Sequence, residues 1–411
     1  MINLKNQPGE NAKRFISGVF LTFIFAHCSL SIAATPSQQL EMFHLTTSDG
    51  KASINAEIDY PDSSENKLTT IILVGGTHLF DRDYKYGNSK TDKDLLFLTL
   101  KNIFTEQGYA VVRFDYRGVS CNVRTAPLCE DCKTEKQKMV HFVKACINNT
   151  IRQSVTETSK ASDLALLYNY ITRHNRLNPK KIIILAHSEG TLHTARLIER
   201  SEIAPKGMIF IGSIIDSPKN TIAWQWVSRL TDNFFKMVEH DFPEKISNAE
   251  IDFYCEKQGV IACENLRSPQ GFWTKKSLSQ YYLTTIYPFF RQQTLTYKAD
   301  APFKHVWGQY GAIFSSYSWW QQFFTDDRRV IDRLDKYAGR IAFHQGGIDG
   351  AIPPDSVSEL KKYAAKHDNR RLHFYPELGH ALGKHSMVGP IEKVALKNII
   401  NDVKWILEQN N

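Results

Sequence analysis

Residues 181–191 read KIIILAHSEGT. A branched apolar run, Ile182 to Leu185, stops at Ala186-His187-Ser188-Glu189-Gly190. An uninterrupted run of this kind suits a strand covered on both faces, as in a parallel sheet. Downstream, Leu192, Ala195, Leu197 and Ile198 recur at helical spacing. The stretch therefore reads as strand, tight turn and helix, with Ser188 at the apex. Ala186 and Gly190 on either side are small enough to let strand and helix approach closely. Such a corner pushes a serine hydroxyl out of the fold and turns the following N–H toward whatever the hydroxyl meets. Alone, a five-residue pattern also arises by chance ahead of ordinary helices.

A serine is a weak nucleophile unless a base takes its proton and a third group orients the base. For a serine on a strand-to-helix corner, the partners should follow in the order acid, then histidine. RIAFHQGGIDGAIPPDSV, residues 340–357, offers a strand, a glycine-rich turn and Asp349. RLHFYPELGHAL, residues 371–382, offers another strand and a loop carrying His380. Between them PDSVSELKKYAAKH reads as one helix. Ser188, Asp349 and His380 are thus the candidate catalytic residues. Asp349 also suits a plain Asp-Gly turn, and Asp355 competes with it but reads as a helix N-cap. His344, His373 and His385 compete with His380; the first two lie within strand runs, which suits a structural role. A strand ending in Gly75-Gly76-Thr77 can aim backbone N–H groups at a developing oxyanion. The expected donors are the N–H of Glu189 and that of Gly76 or Thr77.

Together these segments resemble the α/β-hydrolase superfamily. The resemblance rests on ILVGGT, VVRFDYRGVS, LAHSEG, GGIDGAIPP and YPELGHAL, which span residues 71–382. VVRFDYRG is similar to the third-strand signature of that superfamily. The glycine loop followed by Asp81-Arg82-Asp83, with His-Ser-Glu-Gly, resembles an exported bacterial esterase-like branch related to serine aminopeptidase and prolyl oligopeptidase catalytic domains. Ala186 departs from the usual first glycine of the corner, and the loop from Gly76 to Asp81 is longer than that branch suggests. The resemblance implies an α/β fold with a mostly parallel central sheet flanked by helices, a Ser188-Asp349-His380 triad, oxyanion donors at Gly76 and Glu189, and no organic cofactor or metal.

The 411-residue chain exceeds one ordinary domain, which suggests a core with a sizeable insertion. Lys13-Arg14, the apolar block FISGVFLTFIFA and a small-residue exit describe a signal peptide over residues 1–34. The block is too short to read first as a membrane span, although an uncleaved anchor is the alternative. Export to the periplasm or medium, with no stable membrane insertion once the leader is removed, is the expectation. Net charge is +8. Without the leader about +6 remains, with no tract dense enough for nucleic acid. Six cysteines lie beyond the leader: Cys121, Cys129, Cys132, Cys146, Cys255 and Cys263. An even number in an exported chain favours disulfides, with Cys255–Cys263 the simplest local pair. A zinc site using the Cys129-x-x-Cys132 cluster is the rival.

The core is expected over residues 35–216 and 336–411, with a cysteine-rich insertion at 119–150. Between them, 217–335 lacks clear buried parallel strands and holds Trp224, Trp226, Trp273, Trp307, Trp319 and Trp320. This reads as a helical aromatic cap over Ser188, some of whose rings line a pocket while most pack the cap itself. The function these features point to is hydrolysis of a small carboxylic ester by acyl-enzyme chemistry. An exopeptidase or amidase on the same residues is the alternative. A thioesterase and a catalytically silent binding protein fit less well.

Overall fold

The computed structural model describes residues 39–63, 65–77, 81–84, 95–122, 125–132, 135–232, 235, 244–258, 266–297, 316–387 and 389–409. The proposed leader and Trp307 lie outside these residues, as does the expected pairing of Cys255 with Cys263. The first half contributes β1 (Leu40–Thr46), β2 (Ser53–Asp59), β3 (Leu68–Val74), α1 (Leu96–Glu106), β4 (Ala110–Phe114), α2 (Glu135–Cys146), α3 (Asn149–Gln153), α4 (Glu157–Arg173), β5 (Leu177–His187), α5 (Gly190–Glu199) and β6 (Gly207–Ile211). Then come α6 (Pro218–Trp224), β7 (Lys245–Ser247), α7 (Asn248–Gln258), β8 (Phe272–Thr274), α8 (Lys275–Tyr281), α9 (Tyr287–Thr296) and α10 (Tyr317–Thr325). The chain closes with β9 (Arg340–Gly346), α11 (Ser356–Ala365), β10 (Arg370–Tyr375) and α12 (Lys393–Leu407).

Eight strands form one sheet in the order β1-β2-β4-β3-β5-β6-β9-β10. β2 runs antiparallel to both its neighbours, and every other pairing is parallel. The apolar run that marks β5 explains why both faces are covered. Ile183 and Leu185 pack with Ile71, Leu73, Ile209 and Ile211 beneath α1 and α12. Ile182 and Ile184 pack with Ile72, Val74, Met208 and Phe210 beneath α4, α5 and α11. Burying each such side chain contributes about 1.5–3 kcal/mol. β5 begins earlier than the apolar run, at Leu177, through the exposed segment Pro179-Lys180-Lys181. Periodicity cannot find that extension, because its side chains face solvent.

At the corner, Gly190 opens α5 against the carbonyls of Val74 and Gly75; a β-carbon there would come within 2.6–2.7 Å of both oxygens. Strand, glycine loop and helix can meet only if that position carries no side chain. The third-strand signature also acquires a physical reason. Arg82 is bound through its backbone N–H, Nε and Nη2 by the Asp115 carboxylate, and through Nη1 by Glu57. Arg113 holds Glu57, Asp59 and Asp83. Arg113 on β4 and Asp115 just after it therefore lock the Asp81-Arg82-Asp83 turn to the sheet through buried ion pairs.

Between β6 and β9, α6 to α10 enclose a small core of their own, including Val227, Ile246, Ile251, Trp273 and Leu278. Trp226 stacks on Phe290 at 4.2 Å, while Trp319 and Phe323 join the main core. This stretch also holds an antiparallel pair, β7–β8, absent from the sequence reading. Three-residue strands are too short to show alternation. No described helix is long and apolar enough to cross a membrane.

In the cysteine-rich stretch, Cys121 is bonded to Cys146 and Cys129 to Cys132. These thiols are therefore not zinc ligands. Cys121–Cys146 spans 25 residues and Cys129–Cys132 only 3. Loop-closure entropy makes the longer bridge worth about 2 kcal/mol more. Urea unfolding of Cys121→Ser/Cys146→Ser should accordingly show a larger stability loss than that of Cys129→Ser/Cys132→Ser.

Candidate active site

Ser188 occupies the left-handed region, φ +57°, directly after β5. Its N–H bonds the Ile211 carbonyl at 2.9 Å, which ties the corner to the end of β6. Asp349 follows β9 and His380 follows β10, so the three residues converge from the ends of separate strands. His380 Nδ1 lies 2.9 Å from Asp349 Oδ2. The same oxygen accepts from Gln345 Nε2 at 2.8 Å, and Oδ1 accepts from the N–H groups of Ala351 and Ile352. A carboxylate with this many donors is fixed in place. Gly212, at φ +55°, backs the histidine; a β-carbon there would lie 2.6 Å from His380 Nδ1. Ser188 and His380 line one cavity of about 210 Å³, roofed by Trp319, Trp320 and Phe323.

The competitors lie elsewhere. Asp355 is exposed, at the N-terminus of α11, and makes no side-chain cap there. His385 is exposed. His344 and His373 sit on β9 and β10 beside Asp402.

The glycine loop differs from the expectation at one atom. The Gly76 N–H donates to Tyr84 Oη at 2.7 Å rather than facing an open space. Tyr84 Oη also lies 2.8 Å from His187 Nδ1, and His187 Nε2 lies 3.2 Å from the His380 carbonyl. A carbonyl only accepts, so Nε2 carries the hydrogen. Burial, and then the proximity of His380, push the pKa of His187 well below 6.5, so the ring is neutral and its Nδ1 accepts from the Tyr84 hydroxyl. A single relay thus runs from Gly76 through Tyr84 and His187 to the backbone of His380. Tyr84 itself is held at φ +59°.

Glu189, directly after the serine, stands where helix N–H groups have no intrahelical partner. Its side chain is fully buried and its Oε1 accepts from Trp319 Nε1 at 2.9 Å and Lys160 Nζ at 3.2 Å. Lys160 Nζ also donates to the Thr77 carbonyl at 2.8 Å. Burial pushes the Glu189 carboxyl up, but the Lys160 charge, hydrogen bonds and His193 hold it well below the ordinary range. Burial and the Glu189 charge push neighbouring Glu157 up. Sequence reading missed Tyr84, Lys160 and His187, and placed Trp319 in the cap without its bond to Glu189. Only His187, adjacent to Ser188, had a local cue.

The sheet order with its antiparallel second strand, the helices on both faces and the serine corner after the fifth strand constitute an α/β-hydrolase fold. No protein-family model matches the chain, and no curated protein matches it. Among solved structures it is similar to Est1E from Butyrivibrio proteoclasticus, at 14% identity and TM-score 0.42, covering 89% of this chain and 97% of that one. It is similar to the α/β hydrolase GrgF from Penicillium sp. sh18, at 13% identity and TM-score 0.45, covering 90% and 98%. A lipase in an open form aligns at 14% identity and TM-score 0.48, covering 90% and 100%.

Holding a non-glycine residue at positive φ costs on the order of 1 kcal/mol or more. Ser188→Gly should therefore leave the fold as stable as wild type or more so, read as an equal or higher Tm. A second test concerns His187. The unfolded chain protonates it near pH 6.5 whereas the fold keeps it neutral, so its contribution to stability is lost as pH falls below that value. His187→Gln should be less stable than wild type near pH 8 by about 1–3 kcal/mol, through lost hydrogen bonds. That deficit should shrink toward pH 5 in paired denaturation curves.

Proposed function

We propose that the chain is a serine hydrolase that cleaves small carboxylic esters through an acyl-enzyme intermediate. The observation carrying this reading is the 2.9 Å contact between His380 Nδ1 and Asp349 Oδ2, with His380 and Ser188 lining one cavity. Asp349 holds His380 with Nδ1 protonated, leaving Nε2 to act as base. Ser188 Oγ loses its proton to Nε2 and attacks the ester carbonyl. The tetrahedral oxyanion receives the N–H groups of Glu189 and Thr77, Thr77 taking the place first expected for Gly76. His380 returns the proton to the departing alcohol, and the acyl group remains on Ser188. Water, deprotonated by the same imidazole, then releases the acid and restores the serine. The aromatic roof of a 210 Å³ cavity suits a compact apolar or aromatic acyl group.

The test is turnover on a panel of activated esters of increasing acyl length, with aminoacyl amides alongside. Ser188→Ala and Asp349→Asn should each lower kcat/KM by about 10⁴ or more while remaining folded. Short or aromatic acyl esters should lead the panel. Activity that survives in Ser188→Ala would remove the serine mechanism. Amides turned over faster than esters would make the enzyme a peptidase or amidase.

A further inference from the structure

His344 on β9 and His373 on β10 are directly paired across two parallel strands. Their rings stack at 4.8 Å between centroids. Asp402 of α12 reaches down onto them: its Oδ2 lies 3.0 Å from His344 Nε2 and 2.8 Å from His373 Nε2. These are hydrogen-bonding distances, yet neither ring directs an N–H along the required line. His344 Nε2, His373 Nε2 and Asp402 Oδ2 are all buried atoms without a hydrogen-bond partner. Two imidazole nitrogens and one carboxylate oxygen, all within 4.8 Å of one another, match in kind and number the ligands a zinc-class ion takes from a protein.

We propose that His344, His373 and Asp402 bind one zinc-class divalent cation, with solvent as the fourth ligand, at a site separate from the Ser188 cavity. The outer contacts suit this. His344 Nδ1 lies 3.0 Å from Tyr375 Oη, which also accepts from Asn398 Nδ2 at 3.1 Å. With Nδ1–H donating to Tyr375, the Nε2 lone pair is the one left facing Asp402, the arrangement that outer contacts impose on ligating histidines.

At zinc–ligand distances of about 2.0–2.2 Å, tetrahedral ligand atoms stand roughly 3.3 Å apart. The three ligand atoms here all lie within 4.8 Å of one another, so accepting the ion asks for side-chain shifts of about an ångström. His373 is 27% exposed, so the cluster borders solvent on that side. Arg371 faces the other carboxylate oxygen, at 3.5 Å. The buried group of Glu157, Glu189 and His193 makes a contrast, since Lys160 and Arg196 already supply its cations. A bound ion would cross-link the last two strands to the C-terminal helix.

The test uses tag-free chain, stripped with EDTA and titrated with zinc by calorimetry, with bound metal counted after gel filtration. Wild type should take up one zinc per chain and gain in Tm. His373→Gln, at the partly exposed position, should bind at least tenfold more weakly and lose the Tm gain. Tyr375→Phe should retain binding but weaken it about tenfold. Cobalt should give the visible absorption of a four-coordinate ion in wild type but not in His373→Gln. No zinc retained by wild type, or equal binding and equal Tm gain in His373→Gln, would overturn the site. Ester turnover, measured in parallel, belongs to Ser188 and does not decide it.

Discussion

The carboxylate of Glu189 is where three distant parts of the chain are made to agree. It belongs to the serine corner, it takes a hydrogen bond from Trp319 on α10, and it pairs with Lys160 on α4, which also grips the Thr77 carbonyl of the glycine loop. A fully buried carboxylate without such donors would carry a large desolvation cost. Here the cost is offset only when loop, corner and cap helix hold their observed positions. The requirement to satisfy one charge thus becomes a requirement on the shape of the cavity.

The same device recurs at the other end of the glycine loop. Arg82 and Arg113 are buried and share Glu57 of β2; Arg82 also meets Asp115 just after β4, and Arg113 also meets Asp59 of β2 and Asp83 of the turn. That turn delivers Tyr84, whose hydroxyl joins the Gly76 N–H to His187 and so to the backbone of His380. Ser188 is positioned by apolar packing and a close glycine contact. The groups around it are positioned by buried polar pairs, which tolerate fewer geometries than apolar contacts do.

What could be read in advance divides along the same line. Ile182–Leu185 declared a doubly covered strand because both faces needed apolar residues. That Ser188, Asp349 and His380 each follow a strand was legible because each comes directly after an apolar strand run. The contacts of Lys160, Tyr84 and Trp319 were not, because each meets a partner far along the chain: 83, 103 and 130 residues away respectively. No local pattern encodes such a meeting. The Gly76 N–H was misdirected for the same reason, since its acceptor is the hydroxyl of Tyr84. His344 and His373 looked structural because each sits in a strand run. Only the register that places them side by side, and the helix that brings Asp402, give them a common target.

The excursion after β4 is built as a parenthesis. Val119 bridges Ile147, the Ser120 N–H meets the Cys146 carbonyl, the Asn148 N–H meets the Gly118 carbonyl, and Cys121 is bonded to Cys146 beside them. The chain leaves and returns through one sealed gate. The two ends of the excursion are thereby pinned to each other, and Phe142 returns from it to pack against the main core.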